Sequence, residues 1–215
     1  MNIIVPAIIP QSFDHLKDAI ASVDAVAHEV QVDIVDGKFV PFTSWPYRGS
    51  GSVMLIQEFT ELMIVEVDLM IADPERAISL YARAGVGKIV VHLEGVTDMA
   101  LIRTVQKEFG FTLGLSLSND SPLTLLTDEL REGDYVQLMG ITDIGSQGQP
   151  FDIRVLDRVR ELRAQYPELT ISIDGSVNAA TVPQLRSAGA DRFVSGSAVF
   201  GAVDPIAAFT ALSSL

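Results

Sequence analysis

Three aspartates pose the chemical question. Asp33 lies in VDIVDGKFVP, Asp68 in EVDLM and Asp174 in TISIDG, each inside an apolar run that ought to be a buried strand. Side chains alternate across a strand, so Asp33 shares a face with Glu29 and Gln31, Asp68 with Glu66 and Met70, and Asp174 with Thr170 and Ser172. Burying an unpaired carboxylate costs several kcal/mol, and few Lys or Arg stand nearby to neutralise these three. A bound cation or a shared proton is expected, and a functional cluster outweighs a structural one. Asp36 falls on the other face beside Gly37, where a turn or cap is its natural use. His92, at the end of KIVVH, reads equally as a core histidine or as part of the cluster.

A second chemistry is written in three glycine-bearing turns: GSQGQPF at 145–151, DGSV at 174–177 and SGSAVF at 195–200. Backbone N–H groups in such turns hold phosphate without basic side chains. Gly148, Gly175, Ser176, Gly196 and Ser197 are the candidate phosphate contacts. Any one turn is a weak signal; three in adjacent loops are more specific.

These residues need a frame. Strand candidates at 3–7, 29–34, 64–69, 88–92, 112–117, 135–139, 170–174 and 192–195 alternate with helical patterns such as SFDHLKDAIASV, DPERAISLYARAG, FDIRVLDRVRELRAQY and NAATVPQLRSAGA. Asp73 before Pro74 marks a helix start, and Gly85 and Gly189 mark two helix ends. Nothing marks a domain boundary, so residues 1–215 are expected to form one α/β domain, a (β/α)₈ TIM barrel. An open doubly wound sheet is the competing architecture and would usually need fewer strands. In a barrel the apolar strand faces meet the helices, and the polar faces point inward. Residues at the C-terminal strand ends then line the mouth, where this fold builds its sites and where phosphate is commonly held after strands seven and eight.

Composition narrows the partners. The 215 residues are 48% hydrophobic, contain no cysteine and carry a net charge of −13. That balance disfavours nucleic acid and anionic membranes, and no run approaches the roughly 20 apolar residues of a membrane span. No basic leader precedes the first strand, and the absence of cysteine fits a reducing compartment, so a cytoplasmic location is expected.

The motifs, in order, resemble the ribulose-phosphate 3-epimerase family along nearly the whole chain. The family opens on Pro-Ser-Ile-Leu, here VPAII; its second strand reads His-x-Asp-Val-Met-Asp-Gly-x-Phe-Val-Pro, here QVDIVDGKFVP. Its third has His-Leu-Met before an acidic-proline turn, here DLMIADP, and its fourth ends Phe-His-x-Glu, here VHLEG. A Met and a Pro-Gly-Phe-Gly-Gly-Gln loop end its sixth strand; here Met139 leads into GITDIGSQGQPF. Val-Asp-Gly-Gly and Gly-Ser-Ala-Ile-Phe close it, here IDGSV and GSAVF.

The resemblance implies a TIM barrel of the ribulose-phosphate-binding type and a ketose-phosphate epimerase, interconverting D-ribulose 5-phosphate and D-xylulose 5-phosphate. Asp33 and Asp174 fall where the family has its two proton-transfer aspartates, and Met70 and Met139 are taken as substrate contacts. A homo-oligomer and a small sugar-phosphate ligand are expected. The family's metal is held by those two aspartates and two histidines; the histidines are Gln31 and Asp68 here, the first-strand serine is Ala7, and the phosphate loop is altered and one residue longer. Gln31, Asp33, Asp68 and Asp174 form an all-oxygen set, better suited to Mg²⁺ or Mn²⁺ than to Zn²⁺, with a metal-free site as the alternative. Two rivals follow. A hexulose-phosphate synthase or decarboxylase-type lyase would want Asp-x-Lys-x-x-Asp, but Met70 takes the lysine's place in DLMIAD. A non-catalytic sugar-phosphate-binding protein would explain the replaced histidines, though not the retained aspartate pair.

Overall fold

The computed structural model describes residues 3–49 and 51–215. Eight parallel strands close into a barrel in sequence order: β1 (Ile3–Ile8), β2 (Glu29–Val35), β3 (Ile64–Met70), β4 (Lys88–His92), β5 (Thr112–Leu117), β6 (Tyr135–Met139), β7 (Ile171–Asp174) and β8 (Arg192–Ser195). The β8–β1 pairing, with Ile4 opposite Phe193, shuts the sheet. The open-sheet alternative is thereby excluded.

Around it run α1 (Phe13–Ala21), the one-turn α2 (Gln57–Thr60), α3 (Pro74–Arg83), α4 (Met99–Phe109), α5 (Arg154–Gln165), α6 (Val182–Ala188), the one-turn α7 (Ser197–Phe200) and α8 (Pro205–Ser213). Ser12, Asp98 and Asp204 cap α1, α4 and α8 by accepting from backbone N–H groups of His15, Leu101 and Ala207, each worth about 1 kcal/mol. Asp73 precedes Pro74 at the start of α3 but makes no capping bond; it pairs with Arg76 at 3.1 Å instead. The expectation of a helix after every strand fails once. Between β5 and β6 there is only a 3₁₀ turn, Leu123–Leu126, because SNDSPLTLLTDEL has no apolar stripe long enough for a packed helix.

The period-2 reading holds on β2, β3 and β5, while Val5, Ala7 and Val194 put a small apolar cluster on the inward faces of β1 and β8. Val30, Val32 and Ile34, Val65, Val67 and Leu69, and Leu113, Leu115 and Leu117 are buried in the layer between sheet and helices. Burial of each such side chain is worth roughly 1.5–3 kcal/mol. The inward residues Gln31, Glu66, Asp68, Ser116, Gln137 and Ser172 are polar and yet 0% exposed. They therefore need partners inside the barrel.

At the N-terminal end they find them. Arg192 pairs with Glu66 at 2.9 Å and with Glu29, and Lys88 pairs with Glu29 at 2.8 Å. The Tyr135 hydroxyl donates to Glu66, and Arg192 donates to the Ser172 hydroxyl at 3.1 Å. Two acids meet two bases, and the interior is filled across its width.

Candidate active site

Above that belt the charge is no longer balanced. Asp33 and Asp68 are direct register partners on β2 and β3, and Asp174 ends β7 across the barrel, paired in register with Val194 on β8. Carboxylate oxygens of Asp33, Asp68 and Asp174 all lie within 4.8 Å of one another. Their exposures are 4%, 0% and 9%.

Two carboxamides and one imidazole stitch them together. Gln31 Nε2 donates to Asp33 Oδ1 at 2.8 Å and to Asp174 Oδ2 at 3.0 Å, bridging the pair. Its Oε1 is buried with no partner. Gln137 Nε2 donates to Asp68 Oδ2 at 2.9 Å, and His92 Nε2 meets Asp68 Oδ1 at 3.0 Å. The even choice over His92 is thus resolved: it belongs to the cluster, backed by Phe39 at a ring separation of 5.5 Å.

The electrostatics follow. Burial, then the charges of Asp174 and Asp68, push the Asp33 carboxyl well above its ordinary range. Burial and Asp68 raise Asp174 likewise, against the stabilising bond from Gln31. Burial alone would lower His92, but the Asp68 carboxylate beside it wins and raises it. Asp68 thus has a partner in His92, while Asp33 and Asp174 resist ionising together.

The remaining predicted residues converge above this floor. Met70, Met139, Gly148, Gly175, Ser176, Gly196 and Ser197 line one cavity together with Asp33 and Asp174. Gly175 has φ +97°, and a Cβ there would stand 2.7 Å from Ile141 Cγ1, so the turn after β7 admits only glycine. The Ser176 hydroxyl is occupied in donating to the Gln149 carbonyl, which ties the β7 turn to the loop after β6. Gln31 and Asp68 lie below, in the barrel proper. Asp36 is a turn residue, as its face suggested: its carboxylate accepts from the N–H groups of Lys38, Phe39 and Ala72.

Sequence reasoning missed Gln137 and Gln147. Gln137 shares the inward face of β6 with Tyr135 and Met139, so the alternation that exposed Asp33 also pointed to it. Gln147 had no such signal.

Comparison with known proteins shows the family. The model of the ribulose-phosphate 3-epimerase family matches residues 3–200. The chain belongs to the ribulose-phosphate 3-epimerase family. Family relatives include ribulose-phosphate 3-epimerase of Mycobacterium leprae, 35% identical over 98% of this chain and 93% of its own, and that of Bacillus subtilis, 33% identical over 94% and 93%. By family it is a carbohydrate isomerase. The fold is shared more widely: KGPDC from Streptococcus mutans, solved as a ligand complex, matches with a TM-score of 0.74 at 15% identity, over 99% of this chain and 95% of that one. The 3-hexulose-6-phosphate synthase of Salmonella typhimurium matches with 0.72 at 20%, over 100% and 97%. Among the described residues no helix is long and apolar enough to cross a membrane.

Proposed function

We propose that this protein epimerises a ketopentose phosphate at the carbon beside its carbonyl, with D-ribulose 5-phosphate and D-xylulose 5-phosphate as the pair. The observation that carries this is the placement of Asp33 and Asp174. They rise from β2 and β7 on different sides of the mouth, bridged by the Gln31 carboxamide. A substrate lying between them offers one face of C3 to each.

One carboxylate takes the C3 proton, leaving an enediolate, and the other, protonated, delivers its proton to the opposite face of the same carbon. The raised affinities of both groups suit this: each is basic enough to accept a carbon-bound proton, and their mutual repulsion keeps one protonated. Gln31 holds the two at fixed separation. The Asp68–His92 pair, with Gln137, keeps the third carboxylate from swinging into their place.

The donor set fits a hard dication. Asp33, Asp68 and Asp174 supply carboxylate oxygens, and Gln31 would add its Oε1 only by turning over and giving up its bonds to Asp33 and Asp174. Mg²⁺ or Mn²⁺ held there would supply a Lewis acid for the oxygens of the enediolate. At the far end, backbone N–H groups around Gly148, Gly175, Ser176, Gly196 and Ser197 receive the phosphoryl group, and Met70 and Met139 floor the sugar site.

Incubation with ketose phosphates in D₂O tests the reading. NMR should show loss of the proton α to the carbonyl together with appearance of the epimer. Absence of exchange with every pentulose and hexulose phosphate would sink the epimerase and leave a sugar-phosphate-binding protein.

A further inference from the structure

Gln147 takes no part in the chemistry given to Asp33 and Asp174, yet it stands in the mouth. The residue itself is exposed on the loop after β6, but its carboxamide turns inward. Nε2 donates to the carbonyl oxygen of Ala7 at 3.0 Å. It lies so close to Gly196 that a Cβ there would collide with it. The cavity Gln147 lines with Gly196 and Ser197 is about 40 Å³, a few waters at roughly 10–15 Å³ each. Small-molecule sites run to about 300–1,000 Å³.

The loop backbone is pinned on several sides. A Cβ on Gly145 would meet Val40 at 2.6 Å, Ser176 holds the Gln149 carbonyl, and the Asp152 N–H donates to the Gly140 carbonyl at 2.8 Å. The Gln147 side chain, by contrast, is tied to the barrel by one neutral hydrogen bond. An incoming ligand has only that bond to break.

We propose that Gln147 tempers the preference for phosphorylated sugars, its carboxamide competing with the phosphoryl end of the substrate for the space beside Gly196 and Ser197. This rests on the phosphate placement proposed above. An incoming phosphoryl group displaces the amide and replaces one neutral hydrogen bond with charge-assisted ones, roughly twice as strong. A sugar without phosphate never reaches that seat and gains nothing from emptying it.

The test is calorimetry with inorganic phosphate and with the free and phosphorylated pentulose, on wild type, Gln147→Ala and Gln147→Asn. One neutral hydrogen bond sustains a closed-to-open ratio of about 2–10, so removing it should tighten phosphate and phosphosugar about 2- to 10-fold. Binding of the free sugar should not change. Asparagine, one methylene short of Ala7, should behave as alanine does. Weaker phosphate binding in both variants would make Gln147 a ligand donor and overturn the proposal, as would unchanged affinity or no phosphate binding by any of the three proteins. Tighter phosphate binding without proton exchange in D₂O would uphold the competition and remove only the epimerase reading.

Discussion

The two ends of one barrel interior solve the same problem in opposite ways. At the N-terminal end Glu29 and Glu66 meet Lys88 and Arg192, with Tyr135 and Ser172 completing the bonds. At the C-terminal end Asp33, Asp68 and Asp174 meet a single imidazole. Neutral closure at one end gives a plug; uncompensated charge at the other gives a site. What marks function here is a polar cluster that its own side chains do not finish.

Substitutions should separate the two ends cleanly. Asp33→Asn and Asp174→Asn each keep the volume and remove a proton acceptor, so turnover should fall by about 10²–10⁴-fold while the melting temperature holds or rises, as repulsion is relieved. Steady-state rates beside thermal unfolding read both; wild-type rates in both variants would end the acid–base assignment.

Arg192→Met should do the reverse. It strands the buried Glu66 without its counter-charge, while Glu29 keeps Lys88, and breaking such a pair costs about 3–5 kcal/mol. Urea unfolding measures the loss, and the surviving folded protein should turn over near the wild-type rate. A stable but inactive variant would erase the distinction between plug and site.

A smaller effect sharpens the contrast. Mg²⁺ or Mn²⁺ at about 100 times its dissociation constant should stabilise metal-stripped protein by about 2.7 kcal/mol, read as a raised melting temperature. Gln31→His with Asp68→His should shift the preference towards Zn²⁺, Co²⁺ or Fe²⁺. No shift with any divalent ion would leave the bonds from Gln31, Gln137 and His92 to compensate the acids.

The smallest effect lies on the rim. Hydrogen bonds from Arg154 hold the Asp152 carboxyl well below the ordinary carboxylate range, against a modest opposing push from burial. Because its folded affinity for protons is depressed, its contribution is complete above the unfolded value of about 3.9 and fades as pH falls below that. Asp152→Asn should flatten the acid limb of a stability-versus-pH curve and leave the neutral region's slope alone. An unchanged acid limb would refute the role.

Much of this was legible beforehand. The strands announced themselves as β-branched runs, and the alternation within them sent Asp33, Asp68 and Asp174 to one interior because a parallel barrel strand is buried on both faces. The turn role of Asp36 came from the same parity. Pairings across strands were not legible. Asp68 lies opposite Val90 in register, and only the stagger of the closed barrel brings His92 and Gln137 to it. Nor could the reach of Gln147 be read, since it depends on how Gly145 seats against Val40, a contact between residues far apart in the chain. The missing helix between β5 and β6 was foreshadowed only by a weak apolar pattern.

The plug has a consequence for traffic. With Arg192, Glu66 and Tyr135 buried at its lower end, the doorway to the aspartates, among the described residues, is the mouth. Whatever is made inside leaves by the route its precursor used, past the same glycines and the same carboxamide. Two epimers of equal size and charge would then queue for one opening, each excluding the other. The direction of net conversion would be set outside the protein, by whichever of the two is drawn away.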